Sequence, residues 1–221
     1  MNIETIVTGP IQVNTYFVPV KVAGTLVLVI VDPGGDSDLI FDQIKKLKLN
    51  PIAIVLTHGH FDHLGAVPAL KDAFPDIQIG IHKDDSFYLG KNAYEEHYSD
   101  FFAMGAGEIV RQLQEQYPEL PKPDFFLEDE KEIALMPGWK VLHTPGHSAG
   151  SVCLYNQEQA TLFSGDTMFL QSCGRTDLHG GDAYQMQCSL QKLLLLPPFV
   201  KVRPGHGGAT SIGSEQRNYA F

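Results

Sequence analysis

Residues 51–65 read "PIAIVLTHGHFDHLG". A continuous apolar run of six residues, the pattern of a buried strand, ends directly in a loop carrying His58, His60, Asp62 and His63. In extended backbone, residues two apart point the same way, so His58 and His60 can converge on one ion. Asp62 and His63 come where the next helix should begin, and the turn redirects them towards a neighbouring point. Four donors in six positions do not easily reach one ion, so two adjacent ions are the more natural geometry. The alternative is a polar loop in which Asp62 caps the helix and Thr57 serves a turn. Three histidines in H-x-H-x-D-H order after a hydrophobic strand favour metal.

The same arrangement recurs. "VLHTPGHSAGSV" presents His147 after the strand-like "WKVLH", "LFSGDTMF" presents Asp166, and "VRPGHGGAT" presents His206. Each time a strand ends, a glycine-containing loop opens, and one ligand-type side chain is offered. Five histidines and two aspartates suit two borderline-soft divalent ions, with zinc the default.

The remaining chain is read as strands at 3–8, 14–20, 25–31, 51–56 and 77–82, then "KEIALM", "WKVLHT", "SVCLYN", "ATLFSG" and 200–205. Helices are expected at 39–49, capped by Asp36 or Ser37, at 64–74 with Pro68 in the first turn, at 108–117 and at 182–196. The 21 Gly and 14 Pro exceed an ordinary share of roughly 12% and fit many short elements in tight loops. The pattern is α/β (α+β), one domain over 1–221, with a partly helical excursion at about 84–125. Two face-to-face sheets with helices outside are suggested; periodicity alone supports only "layered".

The ordered motifs T-H-x-H-x-D-H, T-P-G-H-S-x-G-S, S-G-D-T-x-F, G-R-T-D and P-G-H-G resemble the metallo-β-lactamase fold superfamily. Within it the chain is most similar to glyoxalase II-like hydrolases, over nearly its whole length. That resemblance implies a four-layer αββα sandwich. It implies that His58, His60 and His147 hold one metal, that Asp62, His63 and His206 hold the second, and that Asp166 bridges them. It implies two Zn2+ per chain, with iron or manganese as the other ions such a set takes. The expected reaction is hydrolysis of a thioester of the hydroxyacylglutathione type by a metal-bridging hydroxide. Asp62 would both bind metal and orient or accept a proton. The class B β-lactamases use a cysteine at the bridging position, so β-lactams are not the expected substrate.

Arg175, nine residues after Asp166, matches the basic position that contacts the glutathione carboxylate; an ion pair with Asp177 is its structural alternative. The chain departs from full-length glyoxalase II in having Gly208 where a tyrosine is usual. It also stops at Phe221, without the helical segment that supplies glutathione contacts. Persulfide dioxygenases, with one iron held by two His and the Asp, share these motifs and form the alternative function.

Other features narrow the setting. A formal charge of −10 with no basic run argues against nucleic acid. Three scattered cysteines argue against a disulfide framework. No basic n-region or spanning apolar run is present, so a cytoplasmic protein without membrane contact, monomer or homodimer, is expected. Its partner would be a small-molecule thioester, glutathione-linked forms included. Tyr88, Tyr94, Tyr98, Phe101 and Phe102 are candidates for a pocket wall, with Lys91 or Lys122 for an anionic group. A satellite hydrophobic cluster is the favoured alternative. Asp32 is a candidate for orienting a metal-bound histidine. His143 reads as a neighbour of the ligands or a buried hydrogen-bonded ring; His82, His97 and His179 read as structural or exposed.

Overall fold

The computed structural model describes residues 2–103 and 107–219. Its first sheet comprises β1 (Glu4–Thr8), β2 (Val13–Val22), β3 (Thr25–Val31), β4 (Pro51–Val55), β5 (Gln78–His82) and β6 (Phe125–Leu127), hydrogen-bonded in that order. β1 to β3 form an antiparallel meander, and β4 to β6 join in parallel. The second sheet comprises β7 (Lys140–His143), β8 (Val152–Asn156), β9 (Thr161–Gly165), β10 (Lys201–Pro204) and β11 (Thr210–Ser211), in the order β11-β10-β9-β8-β7. Within it β9 and β10 pair in parallel and the other neighbours antiparallel.

Alternation along the buried strands creates the layers. Val29, Val31, Ala53 and Val55 face one core, where Trp139, Val141, Val152, Leu154 and Phe163 of the other half meet them. Leu28, Ile30, Ile54 and Leu56 face the opposite way. They pack on α1 (Ser37–Leu47), α2 (Phe61–Leu64), α3 (Val67–Ala73), and residues of α4 (Ala93–Ala103) and α5 (Gly107–Gln116). Leu142, Cys153, Leu162 and Val202 turn outward from the second sheet onto α6 (Ala183–Leu194) and α7 (Ile212–Asn218). The result is the expected αββα sandwich. At its centre Trp139 stacks on Phe163 with centroids 4.6 Å apart. A ring of that size removes roughly 150–250 Å² from water.

Three local readings change. "KEIALM" is not a strand: Glu132 makes an isolated bridge to Lys140, and the chain turns at 133–139 through Met136 N–H to Ile133 O (2.8 Å) and Trp139 N–H to Met136 O (3.1 Å). Ile133 and Met136 enter the inter-sheet core three residues apart from that turn, so apolar content without a pairing partner mimicked a strand. The expected helix at 64–74 is two helices broken at 65–66, and Pro68 does sit in the first turn of the second. Asp36 occupies the cap position of α1 in a left-handed conformation (φ 48°), yet its carboxylate accepts from Gly9 N–H (2.8 Å) and caps no helix donor. The 84–125 stretch holds a 3-10 helix at Lys83–Tyr88, then α4, α5 and β6. Tyr88, Tyr94 and Tyr98 pack into the core beneath those helices, the cluster reading. Lys91 and Lys122 are exposed. The side chains of Phe101 and Phe102 lie outside the described residues.

The parallel strands decide where chemistry can sit. Loops leaving the carboxyl ends of parallel neighbours gather at one edge of a sheet. β3 and β4 deliver Asp32 and the His58 loop there, and β9 and β10 deliver Asp166 and His206.

Candidate metal centre

All seven expected ligands converge. Ring nitrogens of His58, His60 and His147 lie within 4.8 Å of one another, as do donor atoms of Asp62, His63 and His206, and of His58, His63 and Asp166. Asp62 Oδ2 is 3.1 Å from His206 Nε2 and 3.7 Å from His63 Nε2, and the two rings' Nε2 atoms are 3.2 Å apart. Asp166 sits between the groups: Oδ1 is 3.3 Å from His63 Nε2, and Oδ2 is 3.5 Å from His147 Nε2 and 3.6 Å from His206 Nε2. Tetrahedral ligands at metal–nitrogen bonds of about 2.0–2.1 Å lie about 3.3 Å apart, so these spacings match edges of coordination polyhedra.

Proton placement makes the fit stricter. His147 Nδ1 lies 2.8 Å from Arg175 O, and His206 Nδ1 3.3 Å from Gln12 O. A carbonyl only accepts, so each Nδ1 donates. His63 Nδ1 faces Asp32 Oδ2 at 3.0 Å. Thr57 Oγ1 gives its proton to Asp32 Oδ2 (2.7 Å) and so accepts from His58 Nδ1 (3.1 Å). In every case the other nitrogen presents a lone pair inward. In their neutral forms His63 and His206 would therefore face lone pairs towards each other at 3.2 Å. His58 Nε2 and Asp166 Oδ1 are buried without a hydrogen-bond partner. Such an array is repulsive by itself and is satisfied by cations.

The electrostatics agree. Burial, reinforced by neighbouring imidazoles, pushes the His58 and His60 pKa well below the usual value. Burial also opposes charge on His63, but Asp166, Asp32 and Asp62 outweigh it and raise that ring's pKa. Burial would raise Asp166 and Asp62, yet His63 beside each holds both carboxyls below the ordinary range. His58 and His60 are thus neutral nitrogen donors beside ionised Asp62 and Asp166, while the carboxylates draw positive charge towards His63 and, against its burial, His206, a place where a cation would supply that charge instead.

The scaffold explains each placement. Asp32, at the end of β3 in a left-handed conformation (φ 51°), accepts Thr57 N–H (2.8 Å) at the end of β4 and orients His63. Gly59 has no room for a side chain, because a Cβ there would lie 2.2 Å from the Tyr88 ring, which stands edge-on to His60. Gly205 is equally constrained, since its Cβ would lie 2.2 Å from Asp166 Oδ1. The first sheet steadies the last loop through Asn14 Nδ2, which donates to Pro204 O (2.9 Å) and Gly207 O (3.0 Å).

One residue the sequence did not single out is Asp85. It is fully buried. Its carboxylate accepts from Gly59 N–H (2.8 Å), Ser148 Oγ–H (2.7 Å) and Gly150 N–H (2.6 Å). It therefore joins the loop of His58 and His60 to the loop of His147. Asp100 was also missed; it accepts from Tyr88 OH (2.9 Å) and lies 4.0 Å from His60 Nε2. Neither sits in a motif, and only the three-dimensional fold brings them to the site.

Arg175 forms a two-pronged ion pair with Asp177 (2.7 and 2.8 Å) and also lines a cavity of about 210 Å³ over the donors. Ile11, Phe169, Leu178, His60, Asp62, His147, Asp166 and His206 share that lining. A larger cavity of about 500 Å³, beside Gly34, Asp36, Gln112 and Tyr117, contains none of the seven donors. His143 donates from Nε2 to Ala149 O (2.9 Å) and stacks on His82, away from the seven. His97 is buried against Tyr88 O, and His179 pairs with Glu96 at the surface. Among the described residues, no helix is long and apolar enough to cross a membrane.

Comparisons with known proteins agree with this geometry. A family model described as the metallo-beta-lactamase superfamily matches residues 8–206. The chain is 36% identical to a probable metallo-hydrolase, YqgX, of Bacillus subtilis (strain 168), covering 96% of this chain and 93% of that one. It is 34% identical to the hydroxyacylglutathione hydrolase GloC of Haemophilus influenzae, covering 87% and 85%. Among solved structures, the BLEG-1 B3 metallo-beta-lactamase superposes with a TM-score of 0.81 at 38% identity, covering 98% and 97%. TTHA1623 in a di-iron-bound form does so at 0.77 and 36%, covering 97% and 98%.

Proposed function

The chain belongs to the metallo-beta-lactamase superfamily, as a metallo-hydrolase, and on that footing we propose that it is a two-metal hydrolase of small thioesters, hydroxyacylglutathione-type compounds among them. The observation that carries the reading is the Asp166 carboxylate, placed within 3.3–3.6 Å of both donor groups. In it, His58, His60 and His147 hold one ion, Asp62, His63 and His206 hold the other, and Asp166 is shared. The nitrogen-rich set suits zinc. The di-iron form of TTHA1623 supports two ions and makes iron the second candidate. The hydroxyacylglutathione hydrolase among the relatives supports the substrate class.

Bound divalent ions supply such sites with water that ionises near neutral pH and with a polarised carbonyl. The chain's own groups do the rest. Asp62, 14% exposed at the cavity and held ionised, is positioned to accept a hydrogen bond and so orient an attacking water. Ile11, Phe169 and Leu178 wall the mouth with apolar surface that excludes water from the acyl group. Arg175 marks the anionic end of a substrate at the rim. A thiolate, whose parent thiol has a pKa of about 8.5, leaves without a strong general acid.

The test is metal analysis of protein purified without added metal, followed by turnover of S-lactoylglutathione, simple acyl thioesters and a chromogenic β-lactam. Two ions per chain and preferential thioester turnover are expected. Asp62→Ala should lower that turnover by at least about 100-fold. About one iron per chain with oxygen uptake on glutathione persulfide would replace the reading by persulfide dioxygenation. Preferential β-lactam turnover would move the substrate class instead.

A further inference from the structure

We propose that His82, Asp84 and His143 form an additional cation site, separate from the seven donors, for a borderline divalent ion such as Zn2+. His82 is the last residue of β5 and His143 the last of β7, so the two rings come from different sheets. They stack with centroids 4.2 Å apart and planes within 15°. Metal–imidazole bonds lie near the ring plane, so for both rings to hold one ion they must tilt out of this stack. A ring nitrogen of each and a carboxylate oxygen of Asp84 all lie within 4.8 Å of one another.

The hydrogen bonds engage these donors only in part: His82 Nδ1 accepts one long bond, from Asp84 N–H. His143 Nε2 donates to Ala149 O (2.9 Å), so the neutral ring carries its lone pair on Nδ1. His82 Nδ1 lies 3.6 Å from Asp84 Oδ2, close to the spacing of two ligands on one ion. Its hydrogen bond from Asp84 N–H is long, at 3.3 Å. Burial, with His143 second, lowers the His82 pKa, so that ring offers a lone pair at neutral pH. The next acid, Asp129, is committed elsewhere: it accepts His143 N–H (2.7 Å) and pairs with Lys192 (3.1 Å).

Two imidazoles and one carboxylate select borderline ions over Mg2+ or Ca2+, which prefer all-oxygen shells. Three protein donors leave a fourth position for water. Asp84 is 45% exposed and gives the ion a path from solvent. The site also has a structural consequence. Asp85 follows Asp84 directly, and His147 follows His143 by four residues. An ion here would tie together the ends of the two strands that feed the Asp85 clamp and the His147 loop.

The experiment uses the protein carrying the metal it is purified with. Zn2+ is titrated by equilibrium dialysis into wild type, Asp84→Asn and His143→Gln. Wild type should bind one equivalent per chain more than either variant at micromolar free Zn2+. The metal co-purifying with each protein should be unchanged. Added Zn2+ should also raise the melting temperature of wild type and not of the variants. Asp84→Asn alters a half-exposed side chain and keeps the experiment readable if the His143 variant does not fold. Equal stoichiometry in wild type and Asp84→Asn overturns the proposal, whether the extra ion is absent from both or bound by both. Because the readout is a difference between variants, it stands apart from how many ions the seven-donor centre holds.

Discussion

At the scale of single residues, the candidate donors that the fold brings together were written in the sequence and their supporting residues were not. The spacing of His58, His60, Asp62 and His63 follows from one strand and one turn, so local chain geometry announces it. Asp32 was legible as a supporting acceptor because it sits in a Gly-Pro turn at a strand end. Asp85 was not, because "HKDDS" looks like any polar turn and its partners are 26, 63 and 65 residues away. Its three accepted hydrogen bonds give it a measurable role. Asp85→Asn cannot accept all three, since its amide nitrogen meets donors. A supporting residue of this kind is worth roughly 10–100-fold in metal affinity. We expect the variant to keep its far-UV circular dichroism and to lose metal to a competing chelator about that much more readily. Metal affinity equal to wild type would show that the two loops hold their geometry without the clamp.

At the scale of elements, strands bordered by clear alternation were legible and isolated ones were not. β3 appears where its apolar run lies, since both its faces are buried. β6 has only three residues and no pattern of its own; it exists because β5 offers it an edge. "KEIALM" failed for the converse reason, apolar content with no neighbour to pair. α7 was overlooked because its identity lies in buried Glu215, which accepts from Thr210 Oγ1 (2.6 Å) and Gln171 N–H (3.1 Å), and not in an apolar stripe. α4 carries a pH-dependent weakness of the same hidden kind. Burial lowers the pKa of its His97 to about 4, against about 6.5 when unfolded. The unfolded chain therefore binds that proton more tightly. The stability His97 contributes as a neutral ring is intact above pH 6.5 and is lost as pH falls towards 4. Between pH 7.5 and 5 this amounts to about 2 kcal/mol. Urea unfolding of metal-free protein at both pH values should show wild type losing that much more than His97→Gln. Parallel losses would place the acid sensitivity elsewhere.

At the scale of the whole molecule, the centre is a seam. The loop after β4, in the first sheet, supplies His58, His60, Asp62 and His63, and loops after three strands of the second sheet supply His147, Asp166 and His206. The sequence showed the four loops but not which sheets they leave, because strand order is a property of long-range pairing. Placing donors on both sheets couples ion binding to the packing of the sandwich. Without cations, donor atoms from the two sheets crowd across the seam, with the Nε2 atoms of His63 and His206 3.2 Å apart. Bound ions would hold both sheets by shared bonds. An ion present at 100 times its dissociation constant contributes about 2.7 kcal/mol, which for a chain of this length is roughly 5–10 °C in melting temperature. Chelation should therefore lower the melting temperature by at least that amount, and restored Zn2+ should return it. His206→Ala, which removes one second-sheet donor, should shrink the Zn2+-dependent rise, since an ion on Asp62 and His63 would then keep only Asp166 across the seam. A melting temperature indifferent to chelator would mean that the sheets are fully preassembled and that the ions bind them without adding to their cohesion.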